Sequence, residues 1–342
     1  MRLAIPLDID PGALADWRQD APVIDLGGET MGTTWRLRLA VPEVFDRSEI
    51  VAAIEARLED ILTQMSHWRA DSVLGRFNRA PAGEWISLPP DFAGVMSAAL
   101  AIAEMTGAAF DPAIGAIVDL WGHGPTPAEA PPTPGALAEA RALSGWQRLS
   151  YDHDNSRLLQ PGGLRLDLSG IAKGYAVDAL AALLRKRGCG HFLVEIGGEL
   201  AGCGIRPDGD PWWVELETPS GEIPPLRIAL HQLAVATSGD YVRGRHTIDP
   251  RSALPVEQAM AVSVLHRSAM LADAWATALS VMPPAAMHEF ATGENLAVRA
   301  LHRVGEGIEE WLSPALQALI VELEAATEGA RLATTIPISG YP

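Results

Sequence analysis

Residues 167–179 read DLSGIAKGYAVDA, and this stretch predicts a strand that turns sharply into a helix. We expect the strand to end at Leu168, a tight turn at Ser169–Gly170 and a helix that begins near Ala172. The free N–H groups and the dipole at such a helix start suit a phosphate. Lys173 in the first turn is unfavourable for the dipole unless an anion is held nearby; the alternative is a lysine that points to solvent. The Gly170 carbonyl could also face a metal ion.

A second stretch, LADAWATAL at residues 271–279, reads as a buried helix with a carboxylate in its middle. Asp273 and Thr277 are four residues apart, so their oxygens project from the same face of that helix. Mg²⁺ and Ca²⁺ prefer such hard oxygen ligands. The alternative is that Thr277 bonds back to a helix carbonyl while Asp273 caps a neighbouring element. A buried carboxylate without a partner is costly, so something must lie opposite Asp273 in either case.

The order of helical and strand-like segments indicates the fold class. Apolar residues recur at helical spacing in five segments, which are 47–67, 92–107, 136–146, 172–188 and 268–282. Alternating or strongly apolar runs predict a hairpin and five further strands, at 23–41, 191–198, 212–219, 226–232, 233–239 and 259–266. Several strands follow one another without a helix between them, which favours an α+β fold over a regular doubly wound sheet. We divide the chain into an irregular N-terminal arm (1–22), a main unit (23–315) and a C-terminal helix and tail (316–342).

Composition limits the possible partners. The chain has 342 residues, is 48% hydrophobic and carries a net charge of −17. Such a charge disfavours nucleic acid and anionic membranes as partners, since both attract basic patches. No run of 18 apolar residues predicts a transmembrane segment, and the N-terminus as written lacks a signal peptide, which predicts a cytoplasmic protein unless a leader is missing from the start. Cys189 and Cys203 are too few for a zinc site or a disulfide framework and are expected to be packing residues.

Further loop residues could contact a ligand. His246, in the segment RHTIDP, is a candidate general base, although a lone histidine is more often merely exposed. Asp111, in AAFDP, is a turn signal first and a ligand contact second. Trp68 could stack on a planar ring, whereas Phe77 suits the core better. The Gly–Gly pair of EIGGEL (195–200) predicts a bulge or a close backbone approach within a strand.

Taken together and in this order, these segments resemble the ApbE family of FAD:protein FMN transferases. The likeness runs from about residue 27 to residue 314, and its most specific part is the pairing of DLSGIAKGYAVD with ADAWATA about a hundred residues later. The segments that carry it are ETMGTTW, MSHWRADSVLGRFN, AFDPAIGAIVDLWGHGP, DLSGIAKGYAVD, LVEIGGELAGCG, TSGDYVRG, HTIDP and LADAWATALSVM.

The resemblance implies mixed sheets with packed helices and an active site in a cleft between two lobes of the 23–315 unit. It implies that FAD is the substrate, that Mg²⁺ is the cofactor, and that FMN is attached through a phosphoester to a Thr or Ser of a target flavoprotein while AMP is released. Carried over by position, the resemblance assigns metal ligands at Gly170, Asp273 and Thr277, a proton acceptor at His246, and flavin-nucleotide contacts at Met31, Trp68, Ala109, Phe110, Asp111, Lys173 and Ile248.

Two departures from the family pattern bear on these expectations. The family usually has glycine in DPxTGxP where this chain has Ala253 in DPRSALP, so the loop must bend differently if that glycine requires a positive φ. Many members also carry a leader or a lipid-anchor cysteine and work on the periplasmic side of the inner membrane, which would apply here if the start were incomplete. Two rival activities stay open: an Mg²⁺-dependent pyrophosphatase that splits FAD with water, and a non-catalytic FAD-binding protein.

Overall fold

The computed structural model describes residues 2–125, 128, 130–216, 218, 223–240, 244 and 246–322. The helices in these ranges are α1 (Arg47–Met65), α2 (Val73–Arg79), α3 (Pro90–Met105), α4 (Gly115–Leu120), α5 (Pro134–Leu143), α6 (Ala172–Lys186), α7 (Ala269–Val281), α8 (Pro284–Gly293) and α9 (Pro314–Gln317). The strands are β1 (Arg2–Ala4), β2 (Val23–Thr30), β3 (Thr33–Ala40), β4 (Trp85–Ser87), β5 (Ser150–Asp152), β6 (Arg157–Leu159), β7 (Phe192–Ile196), β8 (Glu199–Cys203), β9 (Trp212–Leu216), β10 (Leu226–Leu230), β11 (Leu233–Gly239), β12 (Ile248–Asp249), β13 (Leu254–Pro255), β14 (Ala259–His266), β15 (Ala297–Val304), β16 (Gly307–Leu312) and β17 (Ile320–Glu322).

An eight-stranded antiparallel sheet, in the order β16-β15-β14-β11-β8-β7-β3-β2, is the centre of the fold. One face is covered by helices, including α6 and α7, and the largest hydrophobic core lies between them. The other face packs against a four-stranded sheet, β17-β1-β10-β9, through Leu193, Leu200 and Val235. Because both faces are covered, the central strands are apolar nearly throughout rather than alternating. The predicted α+β class is confirmed.

Each of the helices α6 and α7 has a carboxylate that accepts hydrogen bonds from the start of the other helix. Asp178 of α6 accepts hydrogen bonds from the Ala269 and Met270 N–H groups and from the Ser268 hydroxyl, at 2.6–3.0 Å, and so satisfies the start of α7. In return, Asp273 of α7 accepts a 3.0 Å hydrogen bond from the Gly174 N–H near the start of α6. No side chain of α6's own N-cap residue satisfies that end, so the two helix starts depend on each other.

Several local predictions were wrong. Residues 164–168 do not form a strand, because no strand lies beside them to pair with in the described part of the chain. Instead, the Asn78 side chain bonds both the N–H and the carbonyl of Leu166, at 2.7 and 3.0 Å. The Asp167 N–H donates to the Pro112 carbonyl at 2.8 Å. Of the two alternatives for the Gly–Gly pair, the bulge is wrong, because the pair is the two-residue turn of the β7–β8 hairpin, with φ of 58° at Gly197 and 101° at Gly198. The close approach is confirmed, since a β-carbon on Gly197 would stand 2.9 Å from Thr33 Cγ2. The helix start at Ala172 is confirmed.

The two ends of the described chain also differ from expectation. The segment 1–22, expected to be an irregular arm, contains β1, which pairs with β10. The helix expected after residue 314 ends at Gln317, and the next residues form β17, which pairs with β1. Small strands from both ends therefore complete the sheet that covers the central one, while residues 323–342 lie outside the described part of the chain. None of the described helices combines the length and apolar character needed to cross a membrane.

Candidate active site

The start of α6 and the middle of α7 lie in direct contact at two glycines. A β-carbon on Gly170 would stand 2.8 Å from the Thr277 Oγ1 atom, and one on Gly174 would stand 2.8 Å from the Asp273 β-carbon. Side chains larger than hydrogen therefore do not fit at either position without a shift of α7. The structure thus brings together Gly170, Asp273 and Thr277, the three residues that the sequence analysis assigns to a metal.

Asp273 is enclosed at this junction. The residue is 5% exposed. Burial raises the pKa of its carboxyl above the usual range, while the Lys173 ammonium and the Gly174 N–H oppose that rise. Both predicted roles of Asp273 are compatible with this geometry, since Oδ2 caps the start of α6 and a carboxylate has a second oxygen. In the described ranges, no group of three or more His, Cys, Asp or Glu side chains gathers as a metal site, so a site here would depend on a single carboxylate with neutral oxygens.

Lys173 does not simply point to solvent. Its Nζ lies 2.5 Å from Glu199 Oε1, and the two side chains are 22% and 2% exposed, respectively. Burial raises the pKa of Glu199, the nearby Asp273 charge adds to that rise, and Lys173 opposes it. Glu199 was not among the site residues predicted from the sequence. One feature of the sequence could have indicated it: Glu199 is a single carboxylate that directly follows the Gly–Gly pair and precedes LAGC, a run of apolar and small residues.

Two hairpin turns lie beside this ion pair. Gly197 of the β7–β8 turn donates its N–H to the Thr34 carbonyl at 3.2 Å, and a β-carbon there would approach Thr33 Cγ2 to 2.9 Å and Lys173 Cδ to 3.4 Å. Thr33 begins β3 directly after the β2–β3 turn, in which Met31 has a φ of 50°. A positive φ is uncommon for a residue with a side chain. Met31 is therefore held at a turn that lies close to the Lys173 stem.

A loop from Ala109 to Asp111 lies next to the segment that leads into α6, because Pro112 accepts the Asp167 N–H. Ala109, Phe110 and Asp111 are all buried. The Asp111 carboxylate accepts the Ala113 N–H at 2.8 Å and the Trp146 N–H at 3.0 Å. Burial raises the pKa of Asp111 to about 6, against these two hydrogen bonds. The turn role expected for Asp111 is confirmed.

Comparison with known proteins gives the family. The ApbE family model matches residues 31–301. This chain belongs to the ApbE family. A protein of Vibrio cholerae named FAD:protein FMN transferase is 32% identical over 320 residues, which cover 90% of this chain and 96% of that one. One of Haemophilus influenzae with the same name is 34% identical over 331 residues, covering 90% and 94%.

Solved structures of the ApbE family agree with this fold. The flavin transferase ApbE from Vibrio cholerae superposes with a TM-score of 0.82 at 33% identity, covering 87% of this chain and 99% of that one. The Pseudomonas stutzeri flavinyl transferase ApbE, in its apo form, gives 0.81 at 34% identity, covering 87% and 97%. The resemblance found from the sequence is confirmed.

His246, the predicted proton acceptor, contacts Gly244 and His123. The His246 Nδ1 lies 2.8 Å from the Gly244 carbonyl, and because a carbonyl only accepts, Nδ1 is the donor in this contact. Its ring meets the His123 ring edge-on, with centroids 6.4 Å apart. His123 follows α4, so His246 lies beside α4, and the structure shows no direct contact from it to Asp273 among the described residues. Its role as a base stays a prediction.

Ala253 lies in the loop after His246. This residue is fully buried and adopts a φ of 60°, so the alanine itself takes up a left-handed backbone. Its carbonyl accepts the Trp121 indole N–H at 2.8 Å, and its N–H donates to the Asp249 carbonyl at 2.7 Å. Ile248 packs against Ala253 in the same small core. These contacts stabilise a conformation that would favour glycine.

The Trp68 side chain is on the surface. It is 63% exposed and contacts the His67 ring, at a centroid distance of 5.4 Å, in the connection between α1 and α2. An exposed indole is available to stack on a planar ring. Phe77 is fully buried, which confirms its assignment to the core. The flavin contacts assigned to Met31, Trp68 and Ile248 stay predictions.

Proposed function

We propose that this protein transfers FMN from FAD to a Thr or Ser hydroxyl of a target flavoprotein, in a reaction that depends on Mg²⁺ and releases AMP. Family membership supports a flavin transferase, since the related proteins bear the name FAD:protein FMN transferase. The observation that carries the proposal is the contact of Asp273 and Thr277 with the Gly170–Gly174 helix start.

The three oxygens at this contact fit Mg²⁺. Asp273 would supply charge, and Thr277 Oγ1 and the Gly170 carbonyl would supply neutral oxygens. Mg²⁺ usually takes one or two carboxylates and completes its shell with water or phosphate, so a single carboxylate is enough. When bound, the ion would polarise phosphoryl oxygens and assist the departure of AMP. The small residues at 170 and 174 keep the helices close enough for one ion to meet both.

The residues around this position suit a pyrophosphate. The chain carries a net charge of −17 and would repel an anion at most of its surface. Lys173, partly exposed at 22%, and the positive end of the α6 dipole would supply local positive potential. The Asp111 loop adjoins the segment that leads into α6. Met31, Trp68, Ala109, Phe110, Asp111 and Ile248 would form the flavin-nucleotide contacts.

The transfer itself requires one bond exchange and one proton acceptor. The hydroxyl oxygen of the target residue bonds to the FMN phosphorus, and the bond from that phosphorus to the bridging pyrophosphate oxygen breaks, so that AMP leaves. His246 Nε2 would take the hydroxyl proton, because its Nδ1 proton is bonded to Gly244. Phosphoryl-type transfer needs positioning and neutralisation of charge more than covalent catalysis.

Two alternatives share the same site. With water as the acceptor, the protein would split FAD into FMN and AMP, since water and a hydroxyl need similar activation. A protein that only stores FAD is disfavoured by the Asp273–Thr277 pair, because storage does not require a metal.

The experiment combines the purified protein, FAD and Mg²⁺ with candidate flavoproteins and measures their masses. We expect an added FMN mass on a Thr or Ser of one target, absent without Mg²⁺ and absent with the Asp273→Asn variant. A parallel sample without any flavoprotein tests for free FMN. Rapid release of FMN there with no attachment to a target supports the hydrolase, and bound FAD with no turnover in either sample supports a carrier.

A further inference from the structure

Lysine is rare in this protein. Of its 26 basic side chains, only Lys173 and Lys186 are lysines, and all others are arginines. Lys186 is exposed at the end of α6, where a cation is favourable for the helix dipole. Lys173 is in the first turn of the same helix, where a cation is unfavourable. A compact ammonium therefore occupies a position that neither the composition nor the helix favours, which indicates a specific requirement there.

Glu199 is the partner that meets this ammonium. It is the first residue of β8, is 2% exposed, and places Oε1 2.5 Å from Lys173 Nζ. Its other oxygen, Oε2, is buried and has no hydrogen-bond partner among the described residues. A buried carboxylate is costly unless a cation lies against it, so Glu199 and Lys173 are bound to each other.

The backbone around the pair is shaped to admit the lysine stem. Gly197 leaves room for Lys173 Cδ, and the β7–β8 turn that contains Gly197 presents Glu199 two residues later. Asp273 is close enough for its charge to act on Glu199 and for the Lys173 ammonium to act on it. The ammonium is therefore bound to one buried carboxylate and close to a second, the candidate metal ligand Asp273.

We propose that Glu199 is a positioning residue, which holds the Lys173 ammonium beside the Asp273–Thr277 site so that it meets the pyrophosphate in the reacting geometry. This inference rests on the proposed function for its catalytic consequence, but the placement of Lys173 by Glu199 does not. Glu199 is 2% exposed, so we expect it to act through Lys173 rather than by contact with FAD or the acceptor hydroxyl.

The first test measures the placement of Lys173 without any turnover. Limited acylation of amines followed by peptide mass spectrometry reports Lys173, with Lys186 as the internal reference in the same molecule. We expect Glu199→Gln to raise the labelling of Lys173 relative to Lys186, because the ammonium is no longer held against a carboxylate. Unchanged relative labelling in the folded variant would overturn the positioning role.

The second test measures the catalytic consequence with a double-mutant cycle of Glu199→Gln and Lys173→Met. We expect Glu199→Gln to lower kcat for FMN transfer roughly 10- to 100-fold, as misplacement of a reacting contact does, with FAD affinity unchanged or slightly tighter because a negative charge is removed. In the Lys173→Met background the same change should cause no further loss. Equal losses in both backgrounds would overturn the proposal.

A matched control separates this role from a purely structural ion pair. Glu310 of β16 pairs with the 2%-exposed Arg299 of β15 at 2.7 Å, and β14 and β11 separate these strands from β8. Glu310→Gln should lower the melting temperature without a change in kcat, and a Glu199→Gln variant that does only the same would overturn the proposal. If the wild-type protein attaches no FMN to any target, the proposed function fails, while the labelling result still decides the placement of Lys173.

Discussion

Gly170 and Thr277 lie so close that a β-carbon on the glycine would stand 2.8 Å from the threonine Oγ1 atom. The two residues are 107 positions apart in the chain, and their contact joins the start of α6 to the middle of α7. This contact places the Thr277 hydroxyl, one candidate metal ligand, beside the Gly170 backbone, whose carbonyl is another.

Replacement of Gly170 by alanine should therefore displace Thr277 and weaken Mg²⁺ binding. We expect the stability to fall by about 1–3 kcal/mol, as for other overpacked sites, and the rise in melting temperature caused by Mg²⁺ to be lost. Thermal unfolding with and without Mg²⁺ measures both effects. Gly94→Ala in α3 is the control, because a β-carbon there meets nothing within 4 Å and should stabilise the helix by up to about 1 kcal/mol. A Gly170→Ala variant with a normal Mg²⁺ response would contradict the metal assignment.

Replacement of His246 by alanine should slow FMN transfer and leave FAD binding intact. Loss of a general base typically costs about 10²–10⁴-fold in rate. Transfer kinetics and a fluorescence titration of FAD measure the two quantities separately. His153→Ala, which removes a histidine beside Tyr151 on β5, should change neither. If FAD binding is lost instead, His246 is a binding residue and the base lies elsewhere.

The Asp111 carboxyl should make the folded state less stable as the pH rises from about 4 to about 6. Its pKa is raised by burial from 3.8 to about 6, so the folded state binds the proton more tightly than the unfolded chain. The stabilisation by protonated Asp111 is fully present below the pKa of the unfolded chain. It is lost as the pH rises through the pKa of the folded state, and the loss is at most about 3 kcal/mol. Denaturant unfolding of the wild type and Asp111→Asn between pH 4 and 7 isolates it, since only the wild type should show this component. Parallel profiles for the two proteins would exclude it.

Ala253 should tolerate glycine and reject a branched side chain. The left-handed backbone costs alanine about 1–2 kcal/mol, and glycine removes this cost. Glycine also removes a buried methyl group worth about 0.8 kcal/mol and increases the conformational entropy of the unfolded chain, and both effects are destabilising. We therefore expect Ala253→Gly to change the free energy of unfolding by less than about 1 kcal/mol. Ala253→Val should cost about 2–4 kcal/mol, because a β-branched residue is unfavourable at positive φ and the position is fully buried. Urea unfolding measures both changes, and a harmless valine would show that the loop readily adopts another conformation.

The sequence by itself determined the elements whose signal is local. Helical spacing predicted α1, α3, α6 and α7, and alternation predicted the β2–β3 hairpin, because these patterns depend on residues a few positions apart. The same logic placed Asp273 and Thr277 on one face of α7. Local reasoning failed at residues 164–168, where an extended run has a loop for a neighbour rather than a strand.

Only the tertiary structure decided what faces those residues. The capping of Gly174 by Asp273 joins positions 99 apart, and the Lys173–Glu199 pair joins a helix start to a strand that follows a separate turn. No periodicity encodes such contacts, since they arise when α6 and α7 pack on the central sheet and bury charges that must then find partners. The sequence thus specified which side chains carry charge and oxygen, and packing specified which of them meet.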